Sequence, residues 1–290
     1  MVLTAVGQFC ATNNIYSNAT VVCDLIQRAS AMGAKCLFLP EASDYIAGSS
    51  AESLELVRSP QAREFVERIQ EAVRQLPKNK SVEVSVGIHE IANTVCVDHD
   101  KQRSKNVLLW IDSNGEVKKS YQKVHLFDVD VPNGPILRES LTVEPGTEIV
   151  PPIDTAIGKV GSAICYDIRF PEMAMRLRSL GAQVLAFPSA FTVRTGMAHW
   201  EVSARARAID NQCYVIMPGL VGKHDLEGKR QSWGHSIIVD PWGTILAQAP
   251  DTDAEPRIIV ADIDHSVTKK VRENMPLWEQ RRPDVFGYQV

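Results

Sequence analysis

The chain of 290 residues has no block of basic residues, and its formal net charge is -4, with 31 Lys and Arg against 35 Asp and Glu. An acidic balance without a cationic stripe argues against a nucleic-acid partner. No apolar run reaches membrane-spanning length, and the opening MVLTAVGQFC lacks the basic start and long apolar core of a secretory leader. The expectation is a soluble intracellular protein with no membrane partner, cytoplasmic, with a mitochondrial pool left open. Cys10, Cys23, Cys36, Cys96, Cys165 and Cys213 form no CxxC pair. In a reducing compartment they read as free thiols rather than as a disulfide framework. The histidines show no paired ligand spacing, and Gly219-Leu220-Val221-Gly222 falls short of a phosphate-binding loop. Neither a metal nor a nucleotide is expected. No linker-like run breaks the composition, so residues 1–290 are expected to form one domain, with 264–290 a C-terminal helix and packing tail.

What is present is a sequence 44% apolar, ample for a large core, in which strand and helix patterns alternate. Residues 3–10 read as a strand, 18–31 as a helix closed by Gly33, and 36–39 as a buried strand ended by Pro40 and followed by Glu41. An opening of strand, helix and strand implies an α/β fold with helices laid on a sheet. Residues 59–76 form an amphipathic helix pattern and 82–89 a strand, followed by a charged loop over 98–105. Two further strands flank the turn Ser113-Asn114-Gly115 and lead to Lys123. From there to Pro151 the chain reads as loop, with Glu139 in its middle. Residues 155–164 predict one buried strand running into Cys165, and Pro171 opens a helix. A helix over 198–211, strands over 213–217, 233–239, 244–247 and 257–263, and a helix over 264–272 complete the pattern. In the tail, Trp278, Phe286 and Tyr288 suggest packing against something, a second subunit among the options.

The stretch LGAQVLAFPSA over 180–190 repeats MGAKCLFLPEA over 32–42, with Ser189 standing where Glu41 stands. The match suggests an internal pseudo-symmetry, although a common helix-to-strand junction gives the same pattern. Cys165, in VGSAICYDIRFPE, ends a strand before a turn, where α/β layers meet their ligands. A buried structural cysteine is the plainer reading. An isolated thiol has a pKa near 8.5 and is only about a few per cent thiolate at neutral pH, so catalysis needs a base or a cation beside it. Glu41 and Lys123 are both available at strand ends.

These residues lie in FLPEASDYI, YQKVHLFDVDVPNGP and GSAICYDIRFPE, which resemble the glutamate, lysine and cysteine motifs of the nitrilase superfamily of carbon-nitrogen hydrolases. The similarity runs from about residue 3 to 263. HLFDVDVPNGPILRES, the TGMAHWEVSARARAIDNQCYV region and SWGHSIIVDPWG are similar to the Nit branch that acts on deaminated glutathione. The resemblance implies an α-β-β-α sandwich and a homodimer formed across helices that include the one after the cysteine. Residue by residue, the family's catalytic positions fall on Glu41, Lys123 and Cys165, with its further active-site glutamate on Glu139. The implied chemistry is a cysteine thioester route needing no cofactor and no metal. In it Glu41 is the base, while Lys123 and the backbone N-H of Tyr166 face the oxyanion. The implied substrate, a small anionic peptide-like amide, is split into 2-oxoglutarate and cysteinylglycine, a metabolite-repair reaction.

An anionic substrate needs cations or donors away from the thiol, and Arg169, Arg194 and Thr195 are the candidates, with a surface salt bridge an equal use for Arg194. Arg205 and Arg207 read rather as salt-bridged structure. An ω-amidase acting on 2-oxoglutaramate would use the same triad. A cysteine peptidase would want a histidine such as His125 as base, and a catalytically silent binding or scaffold protein is the alternative of another class.

Overall fold

The computed structural model describes residues 1–95, 102–130, 136–225 and 230–287. In chain order the first half contains β1 (Val2–Gln8), α1 (Ile15–Ala31), β2 (Cys36–Phe38), α2 (Ser50–Leu56), α3 (Pro60–Arg74), β3 (Glu83–Val95), β4 (Gln102–Ile111) and β5 (Val117–Gln122). A short hairpin, β6 (Asp128–Asp130) with β7 (Ile136–Arg138), precedes β8 (Ile153–Thr155), β9 (Gly158–Ser162), α4 (Pro171–Ser179), β10 (Val184–Ala186), α5 (Val193–Asn211) and β11 (Tyr214–Met217). The chain then runs through β12 (Val221–Lys223), β13 (Gln231–Trp233), β14 (Ile237–Val239), β15 (Ile245–Gln248), β16 (Arg257–Ile263), α6 (His265–Asn274) and α7 (Pro283–Phe286).

Two six-stranded sheets result, ordered β16-β1-β2-β3-β4-β5 and β15-β14-β11-β10-β9-β8. In each, three parallel strands lie at the centre, with an antiparallel strand on one flank and two on the other. Reading β8, β9, β10, β11, β14 and β15 against β16, β1, β2, β3, β4 and β5 superposes every pairing sense, which is the pseudo-symmetry anticipated from the repeated junction. Strand side chains alternate between faces. Leu37 therefore joins Val22, Leu25, Ile69 and other residues of α1 and α3, while its neighbours Cys36 and Phe38 point the opposite way. There they meet Val184, Ala186 and Tyr214 of the second sheet, whose outer face buries Met173, Leu177 and Trp200 of α4 and α5. The four layers are thus helix, sheet, sheet and helix, as expected.

The helices start where local chemistry allows it. Asn14 caps α1 by accepting the Ser17 N-H at 3.0 Å, and Pro60 and Pro171 open α3 and α4, where a missing N-H costs nothing.

Several expected boundaries move. The strand expected over 155–164 shortens to β9, 158–162, and Thr155 ends the antiparallel β8, because the chain reverses between Thr155 and Gly158, the latter at φ +96°. Residues 233–239 likewise break where Gly234 and His235 take positive φ. The expected charged loop ends early, since 102–105 already pair within β4, while 96–101 lie outside the described residues. The long loop after Lys123 contains β6 and β7, and α2 is additional, begun by a Ser49 cap on the Glu52 N-H. In the tail, Trp278 lies between Arg178 and Arg281, at 5.2 and 4.8 Å from ring to guanidinium. Tyr288 is outside the described residues.

Candidate active site

Glu41, Lys123, Glu139 and Cys165 come from four separate segments, and the fold brings them together. Glu41 follows β2 and is 5% exposed. Its close seat depends on Gly87 of β3, where a Cβ would stand 2.6 Å from the Glu41 Cα. Lys123 follows β5 and is 2% exposed. Its Nζ donates to Glu41 Oε1 at 2.8 Å and to Glu139 Oε1 and Oε2 at 3.1 and 3.0 Å. Glu139, in the turn after β7, also accepts the Phe127 N-H at 2.6 Å. Cys165 follows β9 at φ +48°, in the left-handed region that a non-glycine residue avoids. Its own N-H donates to Pro188 O at 2.9 Å.

The strained turn is held from behind by Asp167, which is wholly buried. Its carboxylate accepts from Tyr121 Oη at 2.6 Å, Ile164 N at 2.8 Å and His125 N at 3.0 Å, and sits 2.7 Å from His125 Nδ1. The Lys123 segment and the Cys165 turn are thereby fastened to one carboxylate. Asp44 does the same for the Glu41 loop, taking His89 N at 2.7 Å and His89 Nδ1 at 2.9 Å.

Burial pushes the Cys165 thiol well above its ordinary pKa, and the Glu41 charge adds to this, while Lys123 and the Ala190 N-H oppose it. Burial would also raise Glu41, but the charge and hydrogen bond of Lys123, helped by Cys165 and Asn106, hold it below the usual value. Burial would lower Lys123, yet Glu139 and Glu41 outweigh it and hold the ammonium well above its usual pKa. The resting ensemble is therefore a neutral thiol beside a carboxylate and an ammonium. No group is a preformed thiolate, because burial and the Glu41 charge outweigh Lys123 at the sulfur.

Two contributors escaped the sequence reading. Asn106 Nδ2 donates to Glu41 Oε1 at 2.7 Å and to Glu139 Oε1 at 3.4 Å, and the Ala190 N-H donates to Glu41 Oε2 at 3.0 Å. A lone Asn at the head of NVLLWI carries no catalytic signature, and a backbone donor carries no sequence signal at all.

The other candidates scatter. The Arg169 guanidinium lies 5.3 Å from the Phe191 ring centre. Arg194 is exposed in the first turn of α5. Thr195 is engaged with the Thr192 cap, hydroxyl to hydroxyl at 2.9 Å. Tyr166 stands in the first turn after the nucleophile position, with its ring against Phe127 at 5.0 Å. His125 is committed to Asp167 and stacks on Phe170 at 3.6 Å. Arg205 and Arg207 hydrogen-bond Gly243 O and Ile168 O, and Arg207 also pairs with Asp210. Among the described residues no group of three or more His, Cys, Asp or Glu is placed to hold a metal ion, and no helix is long and apolar enough to cross a membrane.

Two stacked sheets with a Glu, a Lys and a Cys gathered at their strand ends belong to one class of protein, and the chain matches the carbon-nitrogen hydrolase family over residues 3–273. It is a member of that family, the nitrilase superfamily, in its Nit branch. It is 46% identical to the probable hydrolase nit2 of Schizosaccharomyces pombe over 99% of both chains. It is 40% identical to the deaminated glutathione amidase of Mus musculus, covering 98% of this chain and 84% of the mouse protein. The crystal structure of NitFhit from Caenorhabditis elegans superposes with a TM-score of 0.87 at 38% identity, over 99% of this chain and 66% of the worm chain.

Proposed function

We propose that the protein is an amidase that hydrolyses deaminated glutathione to 2-oxoglutarate and cysteinylglycine through a thioester on Cys165. The observation that carries the chemistry is the Lys123 ammonium bridging Glu41 and Glu139, with the Cys165 thiol held neutral by burial and by the Glu41 charge. The substrate rests on similarity to the mouse amidase.

Glu41, kept ionised, takes the Cys165 proton as sulfur attacks the amide carbonyl. Glu41 is buried while Cys165 is partly exposed, which leaves the sulfur open to substrate. Lys123 and the Tyr166 N-H face the oxyanion. A comparable donor elsewhere is worth about 3 kcal/mol in the transition state. As the C-N bond breaks, Glu41 returns its proton to the departing amine and leaves an acyl thioester. Glu41 then accepts a proton from water as the hydroxyl adds to the thioester, and the thiol leaves reprotonated. Glu139 stays ion-paired with Lys123 throughout and fixes its ammonium in place.

The exposed apolar side chains Met197, Val202 and Ile209 of α5, at 70, 61 and 43% exposure, support a homodimer through this helix, which sedimentation of the purified protein tests. The activity test compares kcat/KM for release of cysteinylglycine from deaminated glutathione with release of ammonia from 2-oxoglutaramate, for wild type and C165A. Preference for the peptide-like substrate, lost in C165A, is the expected result. Preference for 2-oxoglutaramate replaces the substrate by that of an ω-amidase and keeps the mechanism. Inactivity on both returns the protein to the class of silent binding modules.

A further inference from the structure

The gathered ionised groups carry a surplus of negative charge, with two carboxylates, Glu41 and Glu139, against the one ammonium of Lys123. A substrate bearing carboxylates at both ends is repelled by that surplus unless other cations face it. Arg169, on the Cys165 turn, is the candidate the sequence offers, its guanidinium 5.3 Å from the Phe191 ring centre. The structure provides another on a separate element, at a residue that none of the motifs includes.

Arg230 immediately precedes β13, in the hairpin formed with β12. The hairpin is fixed on both sides of the site. Trp233 N donates to Phe191 O at 2.9 Å, next to the Ala190 N-H that holds Glu41. Trp233 also packs over Gly196 of α5, where any Cβ would collide with its ring. On the other side, Arg230 Nη1 donates to Ala47 O at 3.2 Å, in the loop that follows Glu41. The base of the hairpin is stiffened by His224, whose ring spans Ala11 O and Ser232 Oγ at 2.7 Å each.

A guanidinium has five N-H donors. Among the described residues Arg230 makes one side-chain hydrogen bond, the bond to Ala47, and no carboxylate forms a salt bridge with it. The residue is exposed, so a ligand can reach it. Its guanidinium is nevertheless crowded enough by protein to lower its pKa, against the charges of Glu41, Glu139 and Asp225 and the influence of Cys165. The charged head therefore lies within the electrostatic reach of the reacting groups.

We infer that Arg230 binds the carboxylate on the departing-amine side of the substrate, the C-terminal carboxylate of the released dipeptide. The side follows from the chemistry. The amine leaves toward Glu41, the group that returns its proton, and Arg230 is anchored to the Glu41 loop. Arg169 lies on the Cys165 turn, which holds the acyl half. The inference rests on the amidase reading for the identity of the ligand, while the charge it assigns to Arg230 is tested without turnover.

The experiment measures calorimetric binding of deaminated glutathione and of its C-terminal carboxamide to the C165A protein and to C165A carrying R230A or R230K. With Arg230 intact, the acid binds more tightly than the carboxamide by about tenfold to a hundredfold, the range of a charge-assisted hydrogen bond. R230A abolishes this preference while leaving carboxamide binding and the circular dichroism spectrum unchanged, and R230K restores part of it. A preference that survives R230A, one that is absent to begin with, or an equal loss for both ligands overturns the inference. Absent turnover by wild type, with the acid preference intact and Arg230-dependent, overturns the amidase reading instead.

Discussion

The ends of β2 and β10 are one junction built twice, and only one of them carries charge. Ala5 pairs with Leu37 in the first sheet and Gly161 with Leu185 in the second, so Glu41 and Ser189 stand four residues beyond equivalent leucines. The same register makes Phe9 the counterpart of Cys165. Around Glu41 are Lys123, Asn106 and the Ala190 N-H. Ser189, equally buried, turns its hydroxyl back to Phe187 O at 2.8 Å. Beside Phe9 the amide of Gln8 ties Pro250 O at 2.6 Å to Ser236 N at 2.8 Å. One end is closed with neutral hydrogen bonds, and the other gathers a buried pair, Glu41 and Lys123, with the partly exposed Glu139 and Cys165. The frame delivers strand ends to both places. Reactivity comes from the desolvated charges placed at one of them, which cost stability unless each is paired.

The sharpest way to break this contrast is to neutralise the charged end. E41Q keeps the shape and the Asn106 contact region but removes the proton acceptor, so kcat is expected to fall by about 10²- to 10⁴-fold. The remaining Lys123 and Glu139 balance in charge, so the thermal midpoint should stay level or rise. Steady-state assays beside a thermal melt check both, and a variant with near-normal turnover would falsify the role of Glu41. The converse substitution, S189E, places a carboxylate at the neutral end, where among the described residues Ser189 hydrogen-bonds to backbone groups and to no cation. Denaturant unfolding is expected to show a loss of about 3–5 kcal/mol, the cost of an unpaired buried charge. The double variant E41Q/S189E should remain inactive, because the second end has Phe9 where a nucleophile would have to be.

The same contrast explains what the sequence made legible. The α/β class, the four layers and the pseudo-symmetry could be read from strand and helix periods and from the repeat of 32–42 in 180–190, since a buried strand ended by proline leaves a strong local pattern. Glu41, Lys123 and Cys165 were legible because each closes a strand, and Glu139 through the motif around it. Boundaries set by a single positive φ were not, as at Gly158 and at Gly234-His235, where an apolar run hides a reversal of the chain. Asn106 and Asp167 were invisible as site residues because their work is to position others. That work depends on partners 65 and 46 residues away in sequence, Glu41 and Tyr121. Arg230 gives no sequence signal, since what sets it apart is the loop it is fastened to.

A smaller perturbation of the charged end is N106A. It deletes the donor to Glu41 Oε1 and Glu139 Oε1 while leaving every charge in place. A hydrogen bond to a charged group is worth about 1.5–3 kcal/mol, so kcat/KM should drop by roughly tenfold to a hundredfold. Because Asn106 positions the carboxylates rather than touching substrate, the loss should fall on kcat with KM little changed. N106D, which adds a third carboxylate beside two, should be worse than N106A at neutral pH. An N106D variant as active as wild type would show that the amide is not placing the charges.

The mildest test leaves the reaction aside and reads the charged end through the pH dependence of stability. Glu41 is held below 4.5, so its contribution is complete above 4.5 and is lost as the pH falls through its folded value. Lys123 is held above 10.5, so its contribution is complete below 10.5 and is lost as the pH rises through its folded value. Cys165 is held above 9.0, which favours the thiol in the folded state. The unfolded chain ionises first as the pH passes 9.0, so folding loses stability there. The three together predict a plateau between 4.5 and 9.0, with an acid limb from the carboxylate and an alkaline limb that begins with the thiol. Cys10 and Cys213, pushed by burial to about 11, add to the alkaline limb, so C165A should flatten only part of it. Urea midpoints followed across both limbs for wild type and C165A make the comparison directly. A C165A protein whose alkaline limb matches wild type would mean that Cys165 ionises no later in the folded chain than in the unfolded one. The resting thiol beside Glu41 would then have to be replaced by a thiolate paired with Lys123.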